Sequence, residues 1–400
     1  MLTGTAPKDA PTVIPYFRPS INESDIARVA ECLRNGWLTS GSRVALLEST
    51  FAEMAGVKHA IAINSCTAGI LLGLIALGVG PGDEVILPSL SFVAAANCAI
   101  QLGATPVFCD VSPETLSCSA ATIEPHISAS TKALVVMQYA GAPIGIAEIC
   151  ALAKRHGIAV LEDAALSVGM HDRGSWAGVH SDGAAYSFYA TKNVTSAEGG
   201  IFVTQRDDVA QRVRSHALHG LSRDAWNRHQ TTRPWQYDVE TIGHKANLAD
   251  PLAALVLSQL GRLEEFQARR DRLARLYNQL FERVDGIEPV SPALGPADRH
   301  SWCFYAVRID PERTGYTRDD AIEYLRARGI GTSVHYIPTH RFSAYAAFAG
   351  TDVPVTDSAF PKLLSLPLFP DMSAAQAEYV ALTLKKTTAA GRLAGKRVRI

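Results

Sequence analysis

Apolar and polar positions along the first half of the chain repeat in a regular order of short strands and amphipathic helices. Ile26, Val29 and Leu33 recur at helical spacing and predict a helix over 23–35, which Gly36 ends. Short apolar runs predict strands at 59–64, 105–111, 132–138, 158–161, 183–186 and 201–204, and the segment 82–88 predicts a turn followed by a strand. Intervening periodic segments predict helices at 43–55, 70–77, 93–102, 146–156 and 207–218. Strands that alternate with helices in this way indicate an α/β fold around a mostly parallel sheet.

The pattern changes in the second half, where a long helical segment over 248–280 precedes a shorter α/β region. We predict strands at 302–309 and 332–336 and helices at 318–328 and 374–384. The chain is therefore divided into an N-terminal arm (1–14), a large domain (15–265), a small C-terminal domain (266–388) and a basic tail (389–400). We expect the basic and polar end of the chain, residues 385–400, to fray.

Composition narrows the possible classes of protein. The 400 residues include 19% charged residues and carry a formal net charge of −1, which gives no electrostatic reason to expect nucleic acid or a membrane surface as a partner. The seven cysteines are dispersed without a Cys-x-x-Cys pair, which argues against a disulfide framework or a zinc site. No apolar signal core or membrane-length run is present, so we expect a cytoplasmic protein.

Hydroxyl and carboxylate residues follow several predicted strands. Ser65, Cys66 and Thr67 form a turn between a strand and an apolar helix, and Ser89 and Asp163 end two other strands. A helix N-terminus offers free N–H groups and a favourable dipole to an anion, although a plain N-cap explains the turn equally well. Because ligands gather at the carboxyl ends of parallel strands, we expect these groups to share one edge of the sheet.

A single lysine, Lys192, follows the apolar strand 183–186 and precedes the next strand. Taken alone, it is best explained as a surface lysine in a loop. A lysine near an apolar core can, however, form a Schiff base with the aldehyde of pyridoxal phosphate (PLP). Such a cofactor also needs an anion cradle, a carboxylate for its ring nitrogen and a side chain over its ring. The residue types that could supply these contacts are present in order: Cys66, Thr67, Phe92, Asp163 and Ser187.

A resemblance to a known family rests on many ordered motifs. They are GWLTSG at 36–41, PGDEVI at 81–86, GATPVF at 103–108, EDAA at 162–165, SFYATKN at 187–193, EGG at 198–200, QL at 259–260, RR at 269–270 and LPLFP at 366–370. Over roughly 12–385 the chain resembles the DegT/DnrJ/EryC1/StrS sugar aminotransferases. The resemblance implies fold-type I, with a mostly parallel sheet covered by helices on both faces and a smaller C-terminal α/β domain. YAGAP at 139–143, GHKANL at 243–248 and RGIGT at 328–332 are similar to the family's UDP-4-keto-pentose aminotransferase branch.

The same resemblance implies roles for individual residues. Lys192 would be the Schiff-base lysine and the acid and base of the proton shift, and Asp163 would pair with the ring nitrogen of PLP. Phe92 would stack on the ring. The phosphate would be held by the following groups: Thr67, the Cys66 amide and Ser187.

Further implied roles concern a second subunit and the substrate. Members of this family are usually homodimers with shared active sites, so Lys245 or Asn247 would reach the cofactor phosphate of the neighbour. Arg233 and Trp37 would contact the substrate. The irregular stretch 219–245, rich in arginine and aromatic residues, also predicts an interface between subunits.

Three positions depart from the family pattern. Cys66 stands where glycine is common, Gln138 replaces a common histidine, and Leu166 replaces a histidine or glutamine. Two readings of Leu166 stay open: it lines the site and makes it more apolar, or it packs in a neighbouring core.

The expected activity is transfer of an amino group from glutamate or glutamine to a keto sugar, which we expect to be linked to a nucleotide. The alternatives are an aminotransferase for a free cyclitol or another natural-product intermediate, and a catalytically silent PLP-binding regulatory protein. The retained Lys192 argues against the family's dehydratase branch, in which this lysine is replaced.

Overall fold

The computed structural model describes residues 13–221 and 237–397, with side chains described up to residue 387. A seven-stranded sheet forms the centre, in the order β1-β7-β6-β5-β4-β2-β3. Its strands are β1 (His59–Ile63), β2 (Glu84–Pro88), β3 (Thr105–Cys109), β4 (Thr131–Met137), β5 (Ala159–Ala164), β6 (Gly183–Ser187) and β7 (Gly200–Thr204). Strands β3, β2, β4, β5 and β6 pair in parallel, whereas β7 pairs antiparallel with both β6 and β1. The predicted α/β fold with a mostly parallel sheet is confirmed.

Helices connect the strands and surround the sheet. Those of the first part of the chain are α1 (Glu23–Asn35), α2 (Ser42–Ala55), α3 (Cys66–Ala76), α4 (Ala94–Gln101), α5 (Ala120–Ile123), α6 (Ile146–His156) and α7 (Asp207–Ala217). Those of the second part are α8 (Asp250–Leu260), α9 (Leu263–Phe281), α10 (Pro311–Thr314), α11 (Arg318–Arg326), α12 (Pro354–Ala359) and α13 (Ala374–Arg397). Short 3-10 helices cover Glu124–His126, Tyr139–Gly141, Thr339–Arg341, Ser343–Phe348 and Phe360–Lys362. Within the described residues, no helix is both long enough and apolar enough to cross a membrane.

Helices cover both faces of the central sheet. Because successive side chains of a strand point to opposite faces, both sets of side chains are buried. Ala185 of β6 packs in the core beneath α3, α4 and α7, whereas its neighbours Ala184 and Tyr186 pack in a second core with α2 and α8. A third core places α6 under the β2–β4–β5 part of the second face. The strands are consequently apolar throughout, as is typical of a parallel sheet covered on both sides.

A second, three-stranded sheet is antiparallel and follows the order β10-β9-β8. Its strands are β8 (Ile287–Pro289), β9 (Tyr305–Ile309) and β10 (Leu363–Leu366). The strand predicted at 302–309 therefore starts three residues later. The strand predicted at 332–336 is wrong, because only Ser333 makes an isolated bridge there, to Ser365. Strands β8 and β10, which are short, were not predicted from the sequence.

Two helix predictions need correction. The single helix predicted over 248–280 is two helices, because the chain turns at Gly261 between α8 and α9. The helix predicted over 374–384 continues to Arg397 as α13, and the fraying expected at the chain end stays a prediction. The division of the chain into a large and a small domain at residues 265 and 266 stays a prediction.

Strand direction brings chain segments from all seven strands to one edge of the central sheet. Strands β2, β3, β4, β5 and β6 end there in parallel, β1 ends there too, and β7 begins there, where Gly200 pairs with both Ile63 and Ser187. Segments that leave the carboxyl ends of parallel strands commonly form the ligand site of an α/β protein.

Candidate functional site

A cavity of about 370 Å³ opens at this edge of the central sheet. Its walls combine hydroxyl, carboxylate and amine groups with apolar side chains, which suits an aromatic ligand with charged ends. The lining residues are Ser65, Cys66, Thr67, Ile70, Phe92, Ala94, Met137, Asp163, Ala165, Ser187, Tyr189, Thr191, Lys192, Glu198, Gly199, His335 and Tyr336. Six residues predicted from the sequence therefore come together here: Cys66, Thr67, Phe92, Asp163, Ser187 and Lys192.

The turn after β1 presents the N-terminus of α3 to the cavity. The Ser65 hydroxyl caps α3 by accepting the amide of Ala68 at 3.1 Å, and the first turn closes with Gly69 N–H to Ser65 O at 3.1 Å. The amides of Cys66 and Thr67 precede this first helical bond, so they are free of intrahelical partners, and the helix dipole adds positive potential. The turn is therefore both an N-cap and an anion site.

Gly200 explains how a strand can approach this turn so closely. A Cβ atom at Gly200 would lie 2.8 Å from the amide nitrogen of Cys66 and 2.6 Å from the carbonyl oxygen of Tyr186. Only glycine lets β7 pass between β6 and the start of α3 without displacing either. Ser187, the residue opposite Gly200 on β6, is 5% exposed, and its hydroxyl accepts the amide of Tyr189 at 3.2 Å.

Asp163 is a buried carboxylate at the end of β5. Its Oδ1 atom accepts the backbone amide of Ala165 at 3.1 Å and lies 3.5 Å from Sγ of Cys66. Burial raises the pKa of Asp163 above its usual value, and the amide of Ala165 and the charge of Lys192 oppose that rise. A cationic ring nitrogen would compensate this buried negative charge.

The Lys192 loop is held by backbone bonds on both sides of the lysine. Phe188 donates its amide to Gly199 O and accepts the amide of Ser196, both at 2.8 Å, and the amide of Lys192 donates to Tyr189 O at 2.9 Å. The Asn193 side chain donates to Ser301 O at 2.6 Å. The backbone beside Lys192 is thus fixed, while its half-buried side chain extends into the cavity.

His335 and Tyr336 line the cavity but were missed by sequence analysis, which had assigned them to the end of a strand. The His335 ring stacks on Phe304 with ring centroids 4.1 Å apart, and its Nδ1 is 2.8 Å from the Ser365 hydroxyl. Burial and the charge of Lys192 lower the pKa of His335 to about 3, so the ring is neutral at physiological pH. Tyr336 approaches Phe92 with ring centroids 6.2 Å apart. The adjacent histidine and tyrosine were the signal available in the sequence.

Three predicted residues lie outside this cavity. Lys245 donates to Asn247 at 2.7 Å beside the end of β1, and Asn247 donates to Ser40 at 2.7 Å. Trp37 is 46% exposed and donates its ring N–H to Ser40 O at 3.2 Å. The remaining prediction, Arg233, lies outside the described residues.

Leu166 belongs to a core cluster rather than to the cavity. It is 3% exposed and packs with Met137, Tyr139 and Phe304, while the preceding Ala165 lines the cavity. The reason is a turn directly after β5, in which Ser167 donates its amide to Ala164 O at 3.0 Å. The reading in which Leu166 lines the site is therefore wrong.

Gln138 also serves a buried network. Its amide nitrogen donates to Glu162 at 2.6 Å, and its amide oxygen accepts the Ser167 hydroxyl at 3.1 Å.

These groups fit PLP. The amides at the start of α3 and the hydroxyls of Thr67 and Ser187 would hold the phosphate, and the buried carboxylate of Asp163 would face the ring nitrogen. The absent Cβ at Gly200 keeps the amide of Cys66 accessible to the phosphate, since a methyl group there would lie against that amide. Lys192 would meet the aldehyde.

Comparisons with known proteins agree with this chemistry. The sequence profile of the DegT/DnrJ/EryC1/StrS aminotransferase family matches residues 19–385. The chain is 41% identical over 364 residues to the spore coat polysaccharide biosynthesis protein SpsC of Bacillus subtilis (strain 168), a match that covers 90% of this chain and 93% of that protein.

Solved structures are similar over almost the whole chain. The aminotransferase TlmJ from Streptoalloteichus hindustanus has a TM-score of 0.88 and 35% identity, covering 94% of this chain and 99% of that one. The PLP form of the putative sugar aminotransferase Spr1654 from Streptococcus pneumoniae has a TM-score of 0.86 and 27% identity, covering 95% and 99% of the two chains.

Proposed function

Since this chain belongs to the DegT/DnrJ/EryC1/StrS aminotransferase family and is a PLP-dependent aminotransferase, we propose that it moves an amino group from glutamate or glutamine to a keto sugar linked to a nucleotide. The observation that carries the proposal is the convergence of Lys192, Asp163 and the N-terminus of α3 on one cavity.

Each of these groups has a distinct task in the proposed reaction. When bound, PLP stabilises the negative charge that develops at the amine-bearing carbon as its proton leaves. Lys192 holds the cofactor at its aldehyde end, and its freed amine moves the proton at the reacting carbon. Asp163 keeps the ring nitrogen protonated, because its ionised carboxylate favours the cationic form. Thr67, the Cys66 amide and Ser187 hold the phosphate, and Phe92 covers the ring.

The substrate is proposed to enter beside Phe92 and Tyr189, which are 56% and 46% exposed although both line the cavity. Aromatic side chains at the mouth of a site suit the apolar face of a sugar ring or a base. Trp37 and Arg233 remain proposed substrate contacts, and a guanidinium would suit the phosphates of a nucleotide.

We further propose a cytoplasmic homodimer with shared active sites. An apolar groove of about 460 Å³, here called the α1 groove, runs beside the Lys192 loop and exposes Ile26 and Leu33 by 53% and 58%. Its lining comprises Pro19, Ile21, Asp25, Ile26, Val29, Ala30, Leu33, Ala190, Thr195, Ala197 and Leu255. Apolar surface of this kind is typical of an interface. A second copy of the chain bound in the α1 groove would lie next to the Lys192 loop.

The experiment follows each half of the reaction separately. Purified holoenzyme is mixed with glutamate, glutamine or another amino acid, and the absorbance of the bound cofactor reports conversion to pyridoxamine phosphate. The amino form is then offered keto sugars, both free and nucleotide-linked, with UDP-4-keto-pentose among them, and a free keto cyclitol. Lys192→Ala serves as the inactive control.

The outcomes separate the candidate functions. Turnover of nucleotide-linked sugars above all others supports the proposal. A preference for the free cyclitol would replace it with the alternative substrate class. No conversion by any amino donor would leave only a silent PLP-binding protein.

A further inference from the structure

The thiol of Cys66 points away from the phosphate turn, towards the carboxylate at the far end of the cofactor site. Its Sγ lies 3.5 Å from Oδ1 of Asp163 and 3.1 Å from the carbonyl oxygen of Ala185. Both distances are within hydrogen-bonding range for sulfur, and the residue is only 8% exposed. Cys66, the first residue of α3, therefore contacts β5 and β6 at the point where these elements form the site.

The thiol is a donor in this position. Burial and the neighbouring carboxylate of Asp163 raise the pKa of Cys66 well above its usual value, so the group keeps its proton. A neutral thiol has one S–H to give, and it is shared between the Asp163 and Ala185 oxygens. Donation to Asp163 favours the ionised form of that carboxylate.

Other titratable groups also act on Asp163. The positive charge of Lys192 favours the ionised form of the Asp163 carboxylate. Cys98 of α4 and Tyr336 also interact with it, and they do not donate a hydrogen bond to it. Among the described residues, the carboxylate of Asp163 thus accepts hydrogen bonds from two groups, the amide of Ala165 and the thiol of Cys66.

From this geometry we propose that Cys66 is a positioning residue that ties the carboxylate of Asp163 to the phosphate-binding turn. Its amide faces the phosphate and its thiol faces the group that meets the ring nitrogen. The pyridine ring of the cofactor is rigid and its phosphate arm is short, so the turn and the carboxylate must stay within a narrow range of separations. The inference rests on the role proposed above for Asp163.

The test measures cofactor binding without turnover. Pyridoxamine 5′-phosphate is titrated into apoprotein by calorimetry across the acidic to neutral pH range. Because this form has no aldehyde, it makes no covalent bond to Lys192, and its affinity reports the phosphate and ring contacts alone. The variants are Cys66→Ala, which removes the donor, and Cys66→Ser, which restores one of similar size.

Cys118→Ala is the matched control, because Cys118 is 1% exposed in a core remote from the cavity. Cys118→Ala removes the same thiol group from a buried position as Cys66→Ala does. Thermal unfolding of each apoprotein shows whether the fold is retained.

The expected result has a direction and a size. Cys66→Ala binds pyridoxamine phosphate about two- to tenfold more weakly than wild type, the range of one lost hydrogen bond. The deficit grows as pH falls, because without the thiol donor the pKa of Asp163 rises and the carboxylate is protonated at a higher pH. Cys66→Ser and Cys118→Ala bind like wild type over the same pH range.

Two results would overturn the inference. Equal losses of affinity for pyridoxamine phosphate in Cys66→Ala and Cys66→Ser would mean that the residue acts through packing. A loss of affinity that does not depend on pH would mean the same. Asp163→Asn separates this failure from failure of the proposed function. If Asp163→Asn binds as wild type does at every pH, then the assignment of Asp163 itself is wrong, and the role of Cys66 falls with it.

Discussion

Glu162 and Asp163 are consecutive carboxylates with different environments, because neighbouring residues of β5 point to opposite faces of the sheet. Asp163 faces the cofactor cavity. Glu162 lies beneath it, 1% exposed, where it accepts the amide of Gly178 at 2.8 Å and the hydroxyl of Ser181 at 2.7 Å. Gln138 completes this network from β4. The carboxylate of Asp163 is thus open to a ligand, whereas the carboxylate of Glu162 has hydrogen-bond partners within the protein.

Glu162 is predicted to make stability depend on pH. Burial raises its pKa from 4.5 to about 7, so between these values the folded protein binds a proton that the unfolded chain does not. The contribution of Glu162 to stability is therefore complete below about pH 4.5 and is lost as pH rises to about 7. Relative to wild type, Glu162→Gln should become more stable across this window, by about 3 kcal/mol at most.

Denaturant unfolding at a series of pH values measures this difference. Glutamine can keep the two bonds to Gly178 and Ser181, and Gln138 can turn its amide to match. Glu53→Gln, on the exposed face of α2, is the control and should show no such trend. Parallel stability curves for wild type and Glu162→Gln would show that Glu162 does not titrate in this range.

Leu166 gives a second prediction at this scale. Since it packs among Met137, Tyr139 and Phe304, Leu166→Gln would bury an amide without a partner and lower the free energy of unfolding by about 1–3 kcal/mol. Leu382→Gln, at a leucine 50% exposed on α13, should change stability little. Unfolding curves and the substrate profile are measured together. Altered substrate selectivity at unchanged stability would contradict this placement and show that Leu166 lines the site.

At the scale of elements, β7 and α3 meet at Gly200, and this contact is predicted to need glycine. In Gly200→Ala the added methyl group would lie 2.8 Å from the amide of Cys66, so the N-terminus of α3 must shift away from β7. We expect weaker cofactor binding and a loss of about 1–3 kcal/mol in stability.

Gly80→Ala is the matched control for this substitution, because no atom lies within 4 Å of its added Cβ. Cofactor titration and thermal unfolding of both variants measure the two effects. Retention of full affinity in Gly200→Ala would mean that the turn adapts and is not a rigid anion cradle.

The elements were predictable where the local pattern and the tertiary environment agree. The buried strands of the central sheet are apolar on both faces, and α1 is correctly bounded because Asn22 and Asp25 form a capping box and Gly36 ends it in a left-handed conformation. The failures lie in the second half of the chain. Strands β8 and β10 are too short for a periodic signal, and the break between α8 and α9 leaves the apolar pattern continuous.

The same reasoning explains which site residues could be predicted. Motifs identified Lys192 and Asp163, because their chemistry is set by residue type. The contact between Cys66 and Asp163, and the placement of His335 beside Lys192, depend on how distant segments pack. No local pattern carries that information, so only the structure could supply it.

At the scale of the whole molecule, Lys245 and Asn247 lie near the cavity but do not line it. Their mutual hydrogen bond faces outward next to the end of β1, and Ala246 between them accepts the amide of Asn64 at 2.7 Å. The pair is therefore anchored close to the phosphate turn but does not line the cavity of its own chain. A two-fold dimer that covers the α1 groove would let each copy contribute this pair to the other.

Hybrid dimers test this arrangement. Lys192→Ala is expected to be inactive but folded, and a chain with Lys245→Ala and Asn247→Ala to be strongly impaired. Random exchange of equal amounts makes roughly half of the dimers hybrids, each with one complete site that takes Lys192 from one chain and Lys245 and Asn247 from the other. The mixture should therefore recover about a quarter of wild-type activity. Light scattering confirms the dimer, and two distinguishable affinity tags confirm that chains have exchanged. If exchanged hybrids stay as inactive as the separate variants, Lys245 and Asn247 serve no partner site and the shared active site must be abandoned.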